Sequence, residues 1–382
     1  MDSTILKEIT YTDMMRMLLP CAVFVYMFLF SFGLHAQETV KFAMVGLSHG
    51  HSPWFFEWGK GEDMELVGVY EPDASFSGAF RERYRLPEKL MYSDLVKMLQ
   101  EVKPDGILVF GPIVDHLEAV KAAAPLGIHV MVEKPLATNL SDAQEMAQLA
   151  RKHSIHLLTN YETSWYPSTE QAYRFFNGDE AGFGQIRKMV FHHGHEGPKE
   201  IGVGPEFLEW LTDPVKNGGG ALVDFGCYGA NIMTYLMHGE SPLAVTAVTK
   251  TYKPEIYPNV DDEATVIVDF QNSQGIIQAS WNWPFNRKDM EVYGVDGYVI
   301  TKDEDQLRYS TKGVEEQQMK ANADQLGVET NPFEYFRAVI VGERVPAAFS
   351  PYTLENNLQV MEILDAAKRS AETGKKVLLN EK

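Results

Sequence analysis

Residues 129–135 read His-Val-Met-Val-Glu-Lys-Pro. A short apolar run of this length reads as a buried strand, and the charged pair with a proline behind it marks where the strand stops. The same rhythm continues outward on both sides. Residues 40–45 (VKFAMV), 65–70 (ELVGVY), 106–110 (GILVF) and 155–159 (IHLLT) are further strand candidates. Helical patterns lie between them at 93–101, with Ser93 as N-cap, and at 141–152, where Ser141, Asp142 and Glu145 form a capped acidic first turn. Strands alternating with helices predict right-handed βαβ units and an α/β fold built on a doubly wound parallel sheet.

Past residue 160 the rhythm changes. Residues 244–252, 264–270, 275–283 and 290–300 are longer runs rich in β-branched and aromatic side chains, and Asn272-Ser273-Gln274-Gly275 separates two of them as a turn. This half predicts a large, mainly antiparallel sheet. Helical patterns at 332–341 and 351–371 follow, the second with Ser350 as N-cap and Pro351 at its first position. The expected division is 37–160 for the parallel-sheet domain, 161–345 for an α+β domain, and 346–382 for a helix packing back on the first domain.

The chain has 382 residues and is 45% hydrophobic, which allows two ordinary domains with a core each. Asp+Glu number 53 against 34 Lys+Arg, a net charge of -19, and no basic run offsets it. Nucleic acid and anionic membrane surfaces are poor partners for such a chain. Two cysteines, Cys21 and Cys227, are too few for a disulfide framework or a Cys-based zinc site. Residues 18–34 form an uncharged apolar run after Arg16, and Ala36 follows at the place of a cleavage point. Residues 1–36 therefore read as a signal peptide of a periplasmic or otherwise exported protein, with a retained membrane anchor as the alternative. Met14, Met15 and Met17 are alternative starts that would leave a short n-region bearing Arg16.

The first strand runs into Val45-Gly46-Leu47-Ser48-His49-Gly50-His51. Against the G-x-G-x-x-G template only Gly46 keeps its glycine; Ser48 and His51 hold the other two places. Gly46 can make the tight turn, Ser48 can bond a phosphate oxygen, and Gly50 frees the backbone beside a helix N-terminus. Glu71 closes the second strand, where a carboxylate accepts ribose hydroxyls and repels a 2′-phosphate. That favours NAD over NADP.

Glu133-Lys134-Pro135 directly after a strand resembles the Gfo/Idh/MocA oxidoreductases, the family of glucose-fructose oxidoreductase and inositol dehydrogenases. Pro112 and His116 match that family's Pro-x-x-x-His, and residues 218–226 (GGGALVDFG) match its Gly-Gly-Gly-x-x-x-Asp-x-Gly. The resemblance implies a Rossmann domain binding NAD or NADP, with Pro112, His116, Glu133 and Lys134 around the dinucleotide. It also implies a second domain whose open sheet covers the nicotinamide and commonly makes a homo-dimer or homo-tetramer contact. Lys134 would sit beside the substrate carbon. Many relatives continue Asp-x-Gly-x-His-x-x-Asp, whereas here Tyr228 and Asn231 replace the His and the second Asp, as in the glucose-fructose oxidoreductase branch.

Oxidising a sugar CH–OH needs a hydride acceptor and a base for the hydroxyl proton. Lys134 with a pKa lowered by burial, or Tyr228 with a pKa lowered by a cation, could take that proton, with Asp224 positioning Lys134 or the sugar. Tyr161, Trp165, His193, His195 and Asn231 are candidate substrate contacts, and His49 and His51 candidate neighbours of the pyrophosphate. Trp281 and Trp283 read as packing on a sheet face. No metal is expected, although His49 with His51, or His192, His193 and His195, have metal-ligand spacing. The sequence thus points to an exported NAD-dependent oxidoreductase acting on a secondary alcohol of a sugar or glycoside. The alternatives are a redox-neutral glycosidase or epimerase with tightly held cofactor, and a catalytically silent sugar-binding protein.

Overall fold

The computed structural model describes residues 39–379 except 60, 62 and 179–181. The expected signal peptide at 1–36, with Cys21, lies outside the described residues. Among the described residues, fifteen strands form two sheets.

The first sheet contains β1 (Val40–Val45), β2 (Met64–Tyr70), β3 (Met91–Tyr92), β4 (Gly106–Val109), β5 (His129–Glu133) and β6 (Leu157–Asn160). Their order is β3-β2-β1-β4-β5-β6 and every pairing is parallel. The predicted doubly wound sheet is therefore present. Strand order reverses between β1 and β4, which leaves a crevice at their C-terminal ends.

The helices stand where the periodicity placed them, but three caps differ. Helix Leu95–Val102 is capped by Asp94, whose carboxylate accepts from Lys97 N–H at 2.9 Å, and not by Ser93. Helix Leu140–His153 is capped by Asn139, which accepts from Asp142 N–H at 2.9 Å. Helix Leu354–Thr373 starts after Thr353. Residues Ser350–Thr353 form a turn of their own, and the Pro351 carbonyl is spent on the side-chain amides of Asn231 and Asn357.

The second sheet holds β7 (Ile186–Gly194), β8 (Ala244–Lys250), β9 (Glu263–Asp269), β10 (Gln274–Ser280), β11 (Arg287–Gly294), β12 (Gly297–Thr301), β13 (Gln306–Thr311), β14 (Gln317–Lys320) and β15 (Val377–Leu378). Its order is β14-β13-β12-β11-β7-β10-β9-β8-β15. It is mixed: β7 and β10 pair in parallel and the other neighbours are antiparallel. The run 290–300 is a hairpin, because Val295 and Asp296 turn the chain between β11 and β12.

Two late helices pack on the sheets differently. Phe336 of helix Pro332–Ile340 stacks on Phe42 of β1 at 5.6 Å, so this helix packs on the first sheet. Helix Leu354–Thr373 touches both halves: Lys368 Nζ donates to the Thr138 carbonyl at 2.8 Å, and Ser370 Oγ accepts from Ala247 N–H of β8 at 2.9 Å.

Candidate active site

The glycine loop leaves β1 at Gly46, whose φ is +72°. A Cβ there would lie 2.6 Å from Gly111 Cα, so this crossing of the β1 and β4 ends admits no side chain. Leu47 N–H and Asp73 N–H each donate to the Glu71 carboxylate at 3.1 Å, tying the loop to the end of β2. Burial raises the Glu71 pKa, and these two bonds oppose it. Helix Pro205–Leu211 lies over the loop: Trp210 Nε1 donates to Ser48 Oγ at 2.9 Å, and Phe207 abuts Gly50. The bare backbone at Gly46 and the carboxylate at the β2 end suit a dinucleotide.

Beside the loop opens a cleft of about 1520 Å³, lined among others by His49, His51, Lys134, His195, Asp224 and Tyr228. Lys134 Nζ, directly after β5, donates to Asp224 Oδ1 at 2.5 Å and to the Asp224 carbonyl at 3.2 Å. Asp224 is delivered by the glycine run before it. Gly218 and Gly219 have φ of +87° and +156°, and a Cβ on Gly220 would stand 1.8 Å from the Asp261 carbonyl oxygen. The Asp261 carboxylate accepts from Gly220 N–H at 3.0 Å and Leu222 N–H at 2.7 Å, which seats the turn. Trp281 Nε1 donates to Asp224 Oδ2 at 3.0 Å, so this indole supports the site and is not merely sheet-face packing.

Burial works against both charges of the Lys134–Asp224 pair, yet each holds the other. Lys134 stays above the ordinary lysine value and Asp224 below the ordinary carboxylate value. The expected lowering of the Lys134 pKa is thus overturned, because its burial comes with a carboxylate at 2.5 Å. Tyr228 differs from expectation in the same way. Lys134 and Lys288 stand 5.0 and 5.2 Å from its ring centre, but burial, then Glu162, push its phenol far up. Cys227 is fully buried and donates its thiol to the Asp224 carbonyl at 3.2 Å; burial raises its pKa to about 12.

The histidines separate. His195 lies edge-on to Phe225, and its Nδ1 accepts from Gly197 N–H at 2.9 Å. Burial lowers its pKa to about 4, against the pull of Asp224, so it is a neutral ring with its proton on Nε2. His193 is fully buried against Tyr228 and does not line the cleft. His192 is one residue out of phase with His193: alternation turns it to the opposite face, 3.3 Å from Asp289 Oδ2. His49, His51 and Glu133 do converge, with potential ligand atoms within 4.8 Å of one another. However, His49 Nδ1 accepts from His51 N–H at 3.1 Å, so the neutral His49 ring carries its proton on Nε2 and has no lone pair left for a metal.

Several expected contacts stand back from the cleft. Tyr161 is fully buried, edge-on to Tyr228. Trp165 stacks on Tyr352 at 5.3 Å and donates to Asn160 Oδ1. Asn231 is buried beneath the terminal helix with its amide on the Pro351 carbonyl, because the helix places it a full turn beyond Tyr228. His116 Nδ1 meets the Leu136 carbonyl at 3.1 Å and braces the segment behind Lys134, and Pro112 opens the short turn Ile113–Asp115. In their place the cleft gains Glu162 and Lys288, which are ion-paired, with Tyr166 donating to the same carboxylate. These partners are far apart in sequence, so no local motif marks them. Trp210 and Phe207 were also missed, although they stand just before the glycine run.

Residues 40–161 match the family model described as "Oxidoreductase family, NAD-binding Rossmann fold", and residues 179–300 match the "GFO/IDH/MocA C-terminal domain". The chain is 24% identical over 271 residues to D-xylose 1-dehydrogenase [NADP(+)] of Haloarcula marismortui, spanning 69% of this chain and 72% of that protein. It is 25% identical to trans-1,2-dihydrobenzene-1,2-diol dehydrogenase of Xenopus tropicalis over 57% of this chain, which spans 61% of that relative's length. Its fold superposes on the crystal structure of aldose-aldose oxidoreductase from Caulobacter crescentus complexed with glycerol with a TM-score of 0.75, at 21% identity, over 90% of this chain and 100% of that one. With both halves matched in order, the chain belongs to the GFO/IDH/MocA family of NAD-binding oxidoreductases.

Proposed function

We propose that the protein moves hydride between NAD and a secondary alcohol carbon of a sugar or glycoside. The buried Lys134–Asp224 pair, set in the cleft beside the glycine loop, carries the reading. Gly46, Ser48, Gly50 and Glu71 would hold the dinucleotide, which supplies a hydride acceptor when bound. Lys134 enters the reaction as an ammonium donor: it orients the substrate oxygen and stabilises negative charge growing on it, while Asp224 fixes its position. His195 Nε2–H and the Glu162–Lys288 pair offer further bonds to sugar hydroxyls.

The reading is tested by denaturing the purified protein and identifying what it releases by mass and absorbance. Release of no dinucleotide, together with no binding of added NAD, overturns it. Sugars can then be screened by the absorbance of the reduced nicotinamide.

Two consequences follow from the charges. The needed form of Lys134 is the protonated one, and its pKa is raised, so on the alkaline side oxidative turnover should hold to about pH 10.4, the ordinary lysine value, and fall above it. A pH profile in which oxidation instead climbs steadily through that range would make Lys134 a base. Glu71 repels a 2′-phosphate, so Glu71→Gln should narrow the preference for NAD over NADP by about tenfold, read as the ratio of kcat/KM values.

A second reading is favoured by the strap over the glycine loop, Trp210 on Ser48 and Phe207 on Gly50. A dinucleotide retained under it suits a redox-neutral cycle, in which product forms with no net reduced nicotinamide. Export after loss of residues 1–36 belongs to the same proposal and is read by N-terminal sequencing of the mature protein. The outward-facing Val248 and Ile267 of the second sheet support a homo-dimer or homo-tetramer, read by light scattering.

A further inference from the structure

Hydride removal from a carbinol leaves a proton to be placed, and most cleft groups cannot take it. Lys134 is held protonated by Asp224, and Tyr228 is a phenol with a strongly raised pKa. The neutral rings of His49 and His195 already carry their proton on Nε2, since backbone N–H groups occupy Nδ1. We propose that His51, oriented by Glu133, is the group that accepts the proton of the substrate hydroxyl.

The geometry fixes the tautomer. His51 Nδ1 lies 3.1 Å from Glu133 Oε2. Glu133 is buried behind it, and although burial opposes ionisation, the facing His51 and His49 and the Asn160 amide hold its pKa at about 2. A carboxylate only accepts, so His51 must present Nδ1–H to it and keep its lone pair on Nε2. Asn160 Nδ2 donates to the other carboxylate oxygen at 2.8 Å, which stops Glu133 from turning away. The imidazole stacks on Trp54 at 3.5 Å and 14°, which fixes the ring plane, and its partly exposed edge lines the cleft shared with Lys134 and Asp224. A carboxylate that holds one imidazole nitrogen and leaves the other free to take a proton is an orienter-and-base arrangement.

The inference rests on the dehydrogenase reading above. In the forward step the C–H bond breaks with both electrons leaving to the oxidised dinucleotide. The O–H bond breaks to His51 Nε2, and the carbonyl π bond forms. The products are one ketone, one reduced dinucleotide and an imidazolium that returns its proton to water.

Two measurements on the full chain test it. In protein labelled with nitrogen-15 histidine, and assigned with His51→Gln, His51 should be the Nδ1–H tautomer, whereas His49 and His195 should be Nε2–H. An Nε2–H His51 overturns the inference whatever the substrate proves to be. His51→Ala should lose about a hundredfold or more of oxidative turnover, partly restored by free imidazole, with the NAD dissociation constant within about threefold of the parent. Unchanged turnover in His51→Ala overturns the inference and leaves the dehydrogenase standing. A parent that binds no dinucleotide removes the dehydrogenase reading instead.

Discussion

Replacing Lys134 with methionine should lower turnover by about 10³-fold and weaken the fold as well. The two effects share one cause. Lys134 and Asp224 are each almost fully buried, and Lys134 is the cation that neutralises Asp224. Methionine fills a similar volume but leaves the carboxylate with little beyond the Trp281 N–H. Breaking one side of a buried pair costs about 3–5 kcal/mol, much of it the uncompensated charge. The double variant Lys134→Met with Asp224→Asn should therefore regain much of the lost stability and none of the turnover. Denaturant midpoints and steady-state rates for the four proteins of this cycle separate the two roles. Full turnover by Lys134→Met would sink the mechanism.

Gly220→Ala should be the most damaging single methyl in the second half of the chain. Its Cβ would fall 1.8 Å from the Asp261 carbonyl oxygen, inside the turn that the Asp261 carboxylate clamps from two sides. Relief means moving either the segment that leads into β9 or the helix that begins at Ala221 and carries Asp224. The expected loss is about 3 kcal/mol or more, read by thermal unfolding. Gly127→Ala is the control. Nothing lies within 4 Å of its new methyl, and only the φ of +73° is charged against it, so about 1 kcal/mol is expected. Equal losses in the two variants would contradict the packing at Asp261.

The first sheet was legible because parallel strands buried on both faces write themselves as short apolar runs, and β1, β4 and β5 lie within a residue of where those runs placed them. β13 and β14 were not, since they are polar strands such as Gln317–Lys320 at a sheet edge. The hairpin within 290–300 was legible in Gly294-Val295-Asp296-Gly297, whose Asp-Gly pair announces a tight turn, but the β-branched and aromatic residues on both sides of it were read as one continuous run. At the site, Lys134 and Asp224 were readable as motif positions, but their protonation was not. It depends on a 2.5 Å contact between residues ninety apart. Asn231 shows the converse error. A motif position was read as a contact, whereas a terminal helix that the motif does not mention covers it. Glu162 and Lys288 left no trace at all, because an ion pair between residues 126 positions apart has no sequence period.

Cys227 gives the molecule a built-in clock. The thiol is wedged under the Asp224 carbonyl with a pKa of about 12, and it is the one cysteine among the described residues. A reagent that attacks thiolates can reach it only when helix Gly226–Leu236 lifts from the sheet beneath. The labelling rate at this position, followed by peptide mass, therefore counts how often the floor of the catalytic cleft opens. Any ligand that settles on Lys134 and Asp224 should slow that clock in proportion to its occupancy.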